Sequence, residues 1–114
     1  AETVLIAQIE APAGVDAVEA IAATPGIDGL FLGPADLSVG YGKRDQSSEE
    51  LQAAFARCGA AAKAEGRAFM TFVGNATQAE SLAPHGLTMF FIASGHSWLR
   101  AGAAAEAMGF NKIG

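Results

Sequence analysis

Two features of the sequence predict an α/β fold built on a parallel sheet. Short apolar runs rich in β-branched residues alternate with segments whose apolar residues recur at helical spacing, giving four strand-then-helix units in order along the 114 residues. No hairpin signal joins two runs, and nearly continuous apolar runs belong to strands of a parallel sheet covered by helices. Alanine (26) and glycine (14) make up over a third of the chain. So many small side chains suit helices packed closely on a sheet, and argue against a β-sandwich or a disulfide scaffold.

The first run, residues 3–9, stops at Glu10 ahead of the punctuating Ala11-Pro12-Ala13-Gly14. Val15, Val18, Ile21 and Ala22 then fall at helical spacing, and Pro25-Gly26 ends that helix. Residues 27–33 form the second apolar run, followed by a polar, glycine-bearing loop over residues 35–46. Ser47, three residues before Glu50 as in a capping box, starts the next helix. Its apolar stripe of Leu51, Phe55, Cys58 and Ala62 continues to about Glu65-Gly66. Residues 67–73 read as a third strand, and residues 77–83 as a short helix closed by Pro84-His85-Gly86. Residues 87–93 read as a buried strand, and the alanine-rich residues 97–108 as a helix stopped by Gly109. Phe69, Phe72, Phe90 and Phe91 are expected in the core. With no glycine- or proline-rich linker between units, the chain reads as one layered α/β piece.

Charge and composition exclude several functions. The chain carries 12 acidic and 7 basic side chains, a net charge of −5, and only Lys43-Arg44 are adjacent basic residues, which argues against nucleic acid as a partner. The mean hydropathy of +0.28 is too high for disorder. The apolar stretches are too short to cross a membrane, so no membrane partner is expected. A lone cysteine, Cys58, cannot form an internal disulfide, and no second Cys or paired His completes a zinc site, which suits the cytoplasm. Residues 1–6 lack the basic start and apolar run of a signal peptide, and the chain does not begin with Met.

In parallel α/β folds functional groups gather beyond the C-terminal ends of the strands. The first strand ends in Gln8-Ile9-Glu10, and the second runs into Gly33-Pro34-Ala35-Asp36-Leu37-Ser38, so one carboxylate stands at each exit, 26 residues apart. Strands about 4.8 Å apart bring two such carboxylates within reach of one hard cation, and period-two alternation puts Gln8 on the face of Glu10. The same two acids also read as a solvated strand-end acid and a loop acid capping the next turn. The other candidates carry less chemistry. Gly40-Tyr41-Gly42 lacks the further glycine of a dinucleotide fingerprint, and no P-loop string occurs. Cys58 lies on an apolar stripe and reads as a buried structural thiol.

The pairing of Gln8-Ile9-Glu10 with Gly33-Pro34-Ala35-Asp36-Leu37-Ser38 closely resembles the HpcH/HpaI aldolase family of class II, metal-dependent pyruvate aldolases. The likeness extends over Glu10-Ala11, Gly14-Val15, residues 27–33 and the final strand running into a helix. It implies a (β/α)8 barrel of which residues 1–114 are the second half, strands five to eight. It also implies that Glu10 and Asp36 are metal ligands, and that Gln8, the Ala35 backbone amide and Asp36 contact the pyruvoyl part of the substrate. A divalent cation chelated by the carboxylate and keto oxygens of pyruvate would stabilise the enolate formed when a carbon–carbon bond breaks. Two anionic ligands leave about four octahedral positions for substrate and water, which suits Mg²⁺, Mn²⁺ or Co²⁺.

The implied reaction is cleavage of a 4-hydroxy-2-oxoacid to pyruvate and an aldehyde. The family's proton-transferring His and oxyanion-steadying Arg come from the first half-barrel, so no catalytic residue is assigned here and the chain alone is expected to be inactive or only weakly active. His85 reads as part of a surface turn. His96 follows the last strand, near a point where the family often has an acidic residue. Trp98 reads as a core residue or a subunit contact, because family members associate through their last helices. Two alternatives stay open: a citrate lyase β-subunit-like or malyl-CoA lyase-like enzyme, and a non-catalytic half-barrel that binds or assembles. Four units are half of a barrel of about 250 residues and leave strand edges uncovered. The partners expected are therefore a 2-oxoacid and either a second copy of the chain, as a homo-oligomer, or a preceding N-terminal half-barrel.

Overall fold

The computed structural model describes residues 2–113. Four parallel strands, β1 (Ile6–Ile9), β2 (Gly29–Leu32), β3 (Ala68–Val73) and β4 (Met89–Ile92), lie in the order β1-β2-β3-β4. Each is followed by helix: α1 (Pro12–Asp16) and α2 (Val18–Ala22), then α3 (Pro34–Gly40) and α4 (Glu49–Ala64), then α5 (Ala76–Leu82) with a 3-10 turn at Ala83–His85, then α6 (Gly95–Phe110). The arrangement is that of a partial (β/α)8-like barrel, as expected, with every crossover passing through a helix.

One face of the sheet carries the core. Ile9, Leu30, Leu32, Phe69 and Val73 meet Val15, Val18, Leu37, Leu51, Phe55, Cys58 and Leu82 from the helices, all buried. The predicted stripe of α4 supplies Leu51, Phe55, Cys58 and Ala62 to this core. Phe55 stands at its centre, 6.4 Å from the Phe69 ring and stacked 6.0 Å from the His85 imidazole. Thr71, also buried, donates its hydroxyl to the Leu32 carbonyl at 2.8 Å and so is satisfied within the sheet. Arg57 ties α4 to the first helices, donating to Glu19 at 2.8 Å and Asp16 at 3.3 Å, and holds the Glu19 carboxyl below its usual range.

Several expectations are corrected. The expected loop over residues 35–46 contains α3: Pro34 presets the first helical φ and Leu37 and Ser38 pack beneath, so glycine content misled. The α4 cap is Ser48, whose hydroxyl accepts from Leu51 N–H at 3.3 Å; Ser47 instead bonds Asp45 through its amide at 2.9 Å. The first helix is divided at Ala17, which leaves helical geometry (φ −101°, ψ 7°) between α1 and α2. Gly26 turns the chain with φ +90°, as the Pro25-Gly26 pair predicts.

The last unit differs most. β4 is not a buried strand: Met89, Phe91 and Ile92 are half exposed. Phe72 and Phe91, expected in the core, stand on the opposite sheet face, which no helix of the described residues covers; Phe69 is buried and Phe90 partly so. Gly109 does not stop α6, which continues to Phe110. Trp98 is 61% exposed and so is no core residue of this chain. No residue of α6 is buried, and its departure from the sheet stretches the molecule to 61 Å, with a radius of gyration of 17.2 Å. A compact domain of this length has about 13 Å.

Candidate metal and oxoacid site

The C-terminal ends of β1 and β2 form one neighbourhood. The register Ile9↔Leu32 sets Glu10 beside Gly33, and the Gly33 amide donates to the Ile9 carbonyl at 2.9 Å, locking the two exits together. Gln8 and Glu10 meet as alternation predicts, the Gln8 Nε2 donating to Glu10 Oε2 at 2.5 Å. A carboxylate held by an amide keeps one defined orientation, and its remaining lone pairs stay open.

Gly33 is the N-cap of α3 and adopts ordinary extended geometry (φ −88°, ψ 94°). Pro34 occupies the first helical position, Ala35 the second and Asp36 the third, so Asp36 lies in the first turn. No side chain caps this helix. The Ala35 and Asp36 amides are first-turn donors that lack an intrahelical acceptor. At its far end α3 rests on the start of α1: a Cβ at Gly40 would lie 2.8 Å from Pro12 Cδ. Asp36 and Glu10 thus sit on two segments that are braced against each other at Gly33 and at Gly40.

Glu10 and Asp36 are exposed, and neither joins an ion pair among the described residues. No group of three or more His, Cys, Asp or Glu side chains converges among those residues. The two exits offer at most two carboxylate groups, those of Glu10 and Asp36, as hard oxygen donors. That set does not fit a closed structural zinc site, which needs four protein ligands. It fits a cation of the Mg²⁺ type, which is bound through one or two carboxylates and completes its shell with substrate and water.

The other expected candidates lie apart. His96 stands in the first turn of α6, beside Ser94, Ser97 and Arg100 in a shallow surface hollow. His85 belongs to the 3-10 turn and stacks on Phe55, on the helical side of the sheet. Cys58 is fully buried, and burial pushes its thiol up to about 11, which removes it as a nucleophile. Reading the sequence alone misses Gly33 and Gly40. Both lie in or after the Gly33 to Ser38 string, but only the distances to Glu10, Gln8 and Pro12 show what each glycine makes room for.

Below the two exits the uncovered sheet face forms an apolar cavity of about 320 Å³ lined by Ile6, Gln8, Phe31, Phe72 and Phe91. Phe31 and Phe91 meet edge to face across it, with centroids 5.2 Å apart. No helix among the described residues is long and apolar enough to cross a membrane.

Known proteins share this architecture. The chain is 38% identical over 100 residues to the hydroxypyruvate/pyruvate aldolase of Paraburkholderia phytofirmans, covering 87% of this chain and 38% of that protein. It is 36% identical over 109 residues to the 5-keto-4-deoxy-D-glucarate aldolase of Salmonella arizonae, covering 95% of this chain and 43% of that protein. The crystal structure of an HpcH/HpaI aldolase/citrate lyase family protein from Burkholderia cenocepacia J2315 superposes with a TM-score of 0.89 at 35% identity, over 96% of this chain and 43% of that one. The chain thus spans about two-fifths of the length of these relatives. The HpcH/HpaI aldolase/citrate lyase pattern itself matches residues 1–101, strand exits included, and the chain belongs to that family.

Proposed function

We propose that residues 1–114 form the metal- and pyruvate-binding half of a divalent-metal-dependent aldolase that cleaves a 4-hydroxy-2-oxoacid to pyruvate and an aldehyde. The observation that carries this reading is the register of β1 with β2, which sets Glu10 beside the turn that begins the helix of Asp36. The aldolase names of the Paraburkholderia and Salmonella relatives favour the same reaction class.

In this reading Glu10 and Asp36 hold Mg²⁺, Mn²⁺ or Co²⁺. Such a cation supplies Lewis-acid stabilisation of the negative charge that develops on the keto oxygen as the carbon–carbon bond breaks. The Ala35 amide donates to the substrate carboxylate, and Asp36 borders the same pyruvoyl group. Gln8 uses one N–H on Glu10, which leaves a second N–H and its carbonyl oxygen for the substrate. Removal of the 4-hydroxyl proton as the aldehyde forms, and protonation of the pyruvate enolate at carbon, fall to groups outside these residues, on a preceding half-barrel that would cover the apolar face around Phe31, Phe72 and Phe91. The exposed apolar residues of α6, Trp98, Leu99, Met108 and Phe110, favour association of copies through their last helices.

Titration calorimetry of the chain with Mn²⁺ and oxalate, a stable mimic of the pyruvate enolate, tests this reading. Heat of binding is expected for the native chain, with affinity at least about tenfold weaker after Glu10→Ala or Asp36→Ala. No heat from the native chain, or unchanged affinity after both substitutions, overturns it.

A further inference from the structure

We infer that Gly33 is a positioning residue for Glu10: the missing side chain leaves the clearance that the Glu10 Cβ needs at the strand exit. The inference rests on the reading above for its meaning in metal binding, but its geometry stands by itself.

Nothing in the backbone requires glycine at this position. Its φ of −88° and ψ of 94° are open to any L-residue, so conformational freedom is no explanation. Its surroundings are. A Cβ at Gly33 would lie 3.2 Å from Glu10 Cβ, 3.7 Å from Glu10 Oε2 and 3.7 Å from Gln8 Nε2. The tightest of these contacts is to a Cβ, which no rotation of the Glu10 side chain can move away. Relief therefore has to come from a backbone shift, and the Gly33 N–H···Ile9 hydrogen bond and the Ile9↔Leu32 register oppose one. The other two are ordinary van der Waals contacts with the oxygen and nitrogen that form the 2.5 Å hydrogen bond, so any strain reaches that pair through the Glu10 backbone. Alanine at this position is thus expected to strain the strand exit and displace Glu10 by a few tenths of an ångström against its amide anchor.

The same strand carries its own control. Gly29, at the start of β2, is also tightly enclosed, its added Cβ falling 2.9 Å from Met70 Cε and 3.1 Å from the Ala68 carbonyl oxygen. It lies at the opposite end of the strand from Glu10. Gly29→Ala therefore stresses the sheet without reaching the carboxylate.

Two measurements separate positioning from structure. In the metal-free chain, ¹⁵N spectra of the Gln8 side-chain amide are expected to shift in Gly33→Ala and Glu10→Gln, and to stay in place in Gly29→Ala. In Mn²⁺ titrations with oxalate, Gly33→Ala is expected to weaken binding about tenfold, Gly29→Ala to leave it unchanged, and Gly33→Ala to cost less when added to Gln8→Ala than to the native chain. Gln8 signals that ignore Gly33→Ala while responding to Glu10→Gln overturn the inference, whatever the metal does. Native Mn²⁺ affinity in a Gly33→Ala chain whose parent depends on Glu10 also overturns it. A parent that binds no Mn²⁺, with the Gln8 amide still responding to Gly33→Ala, overturns the metal reading and leaves Gly33 positioning the carboxylate for another purpose. If Gly33→Ala fails to fold while Gly29→Ala folds, adding Glu10→Gly, which removes the Cβ it meets, is expected to restore folding, and failure of that rescue overturns the inference.

Discussion

Helices α4 and α6 have the same length, 16 residues, and the same kind of start, yet the rest of the molecule treats them differently. Ser48 accepts from the Leu51 amide and Ser94 from the Ser97 amide, so each helix is capped by a serine three residues before the donor. α4 then buries Leu51, Ala54, Phe55, Cys58, Gly59, Ala61 and Ala62, while α6 buries nothing. Caps and propensity operate within a segment and suffice to make both helices. Burial needs an opposing surface, which β2 and β3 offer to α4 and no described residue offers to α6. The first three βα units consequently hold the core, and the fourth adds secondary structure with little packing.

The sharpest way to test this difference is to truncate one aromatic residue in each helix. Phe55→Ala removes a ring that is 1% exposed and touches Phe69 and His85, and is expected to cost about 3–5 kcal/mol in chemical denaturation. Trp98→Ala, at 61% exposed, is expected to change unfolding by less than about 0.5 kcal/mol. The same variant is expected to weaken self-association in sedimentation, since the tryptophan would face a second copy. A large folding loss from Trp98→Ala at concentrations where the chain is monomeric would show that α6 packs on its own sheet.

A pair of identical glycine substitutions carries opposite signs in the two helices. A Cβ at Gly59 in α4 would fall 1.9 Å from the His85 carbonyl oxygen, a backbone atom that cannot rotate aside. Gly59→Ala is therefore expected to destabilise by about 1–3 kcal/mol in thermal unfolding. At Gly102 in α6 nothing lies within 4 Å. Gly102→Ala is expected to gain about 0.5–1 kcal/mol of local helix stability, read as slower amide exchange across α6. Equal effects at the two sites would break the comparison.

The smallest effect concerns Cys58, whose thiol burial raises to about 11. Between the unfolded value of roughly 8.5 and 11 the folded chain holds a proton that the unfolded chain releases, so stability falls as pH rises through this window. Cys58→Ala is expected to flatten that slope in denaturation curves measured from pH 8 to 11.

Much of the site was legible because its marks are local. Gln8 and Glu10 alternate on one strand and meet as the spacing requires, and Asp36 follows the next strand within a specific string. The site's bracing was not legible, since the clearance between Gly33 and Glu10 and the contact of Gly40 with Pro12 join residues more than 20 positions apart. Helix α3 was hidden for a related reason. Its glycine and proline content suggests a loop, and only the burial of Leu37 and Ser38 beneath it holds a short helix in place.

By itself the sequence determined the alternation of strand and helix, the parallel order, the stripe of α4 and the two acids at adjacent exits. Periodicity, caps and punctuating prolines and glycines act over a few residues and need no partner. Tertiary structure alone decided which apolar residues are covered. Phe69 and Phe72 look equivalent in the sequence, but alternation sends one into the helical core and the other to the uncovered face. Which of those faces meets a surface depends on what is packed against the sheet, and hydrophobicity within a segment carries no record of that.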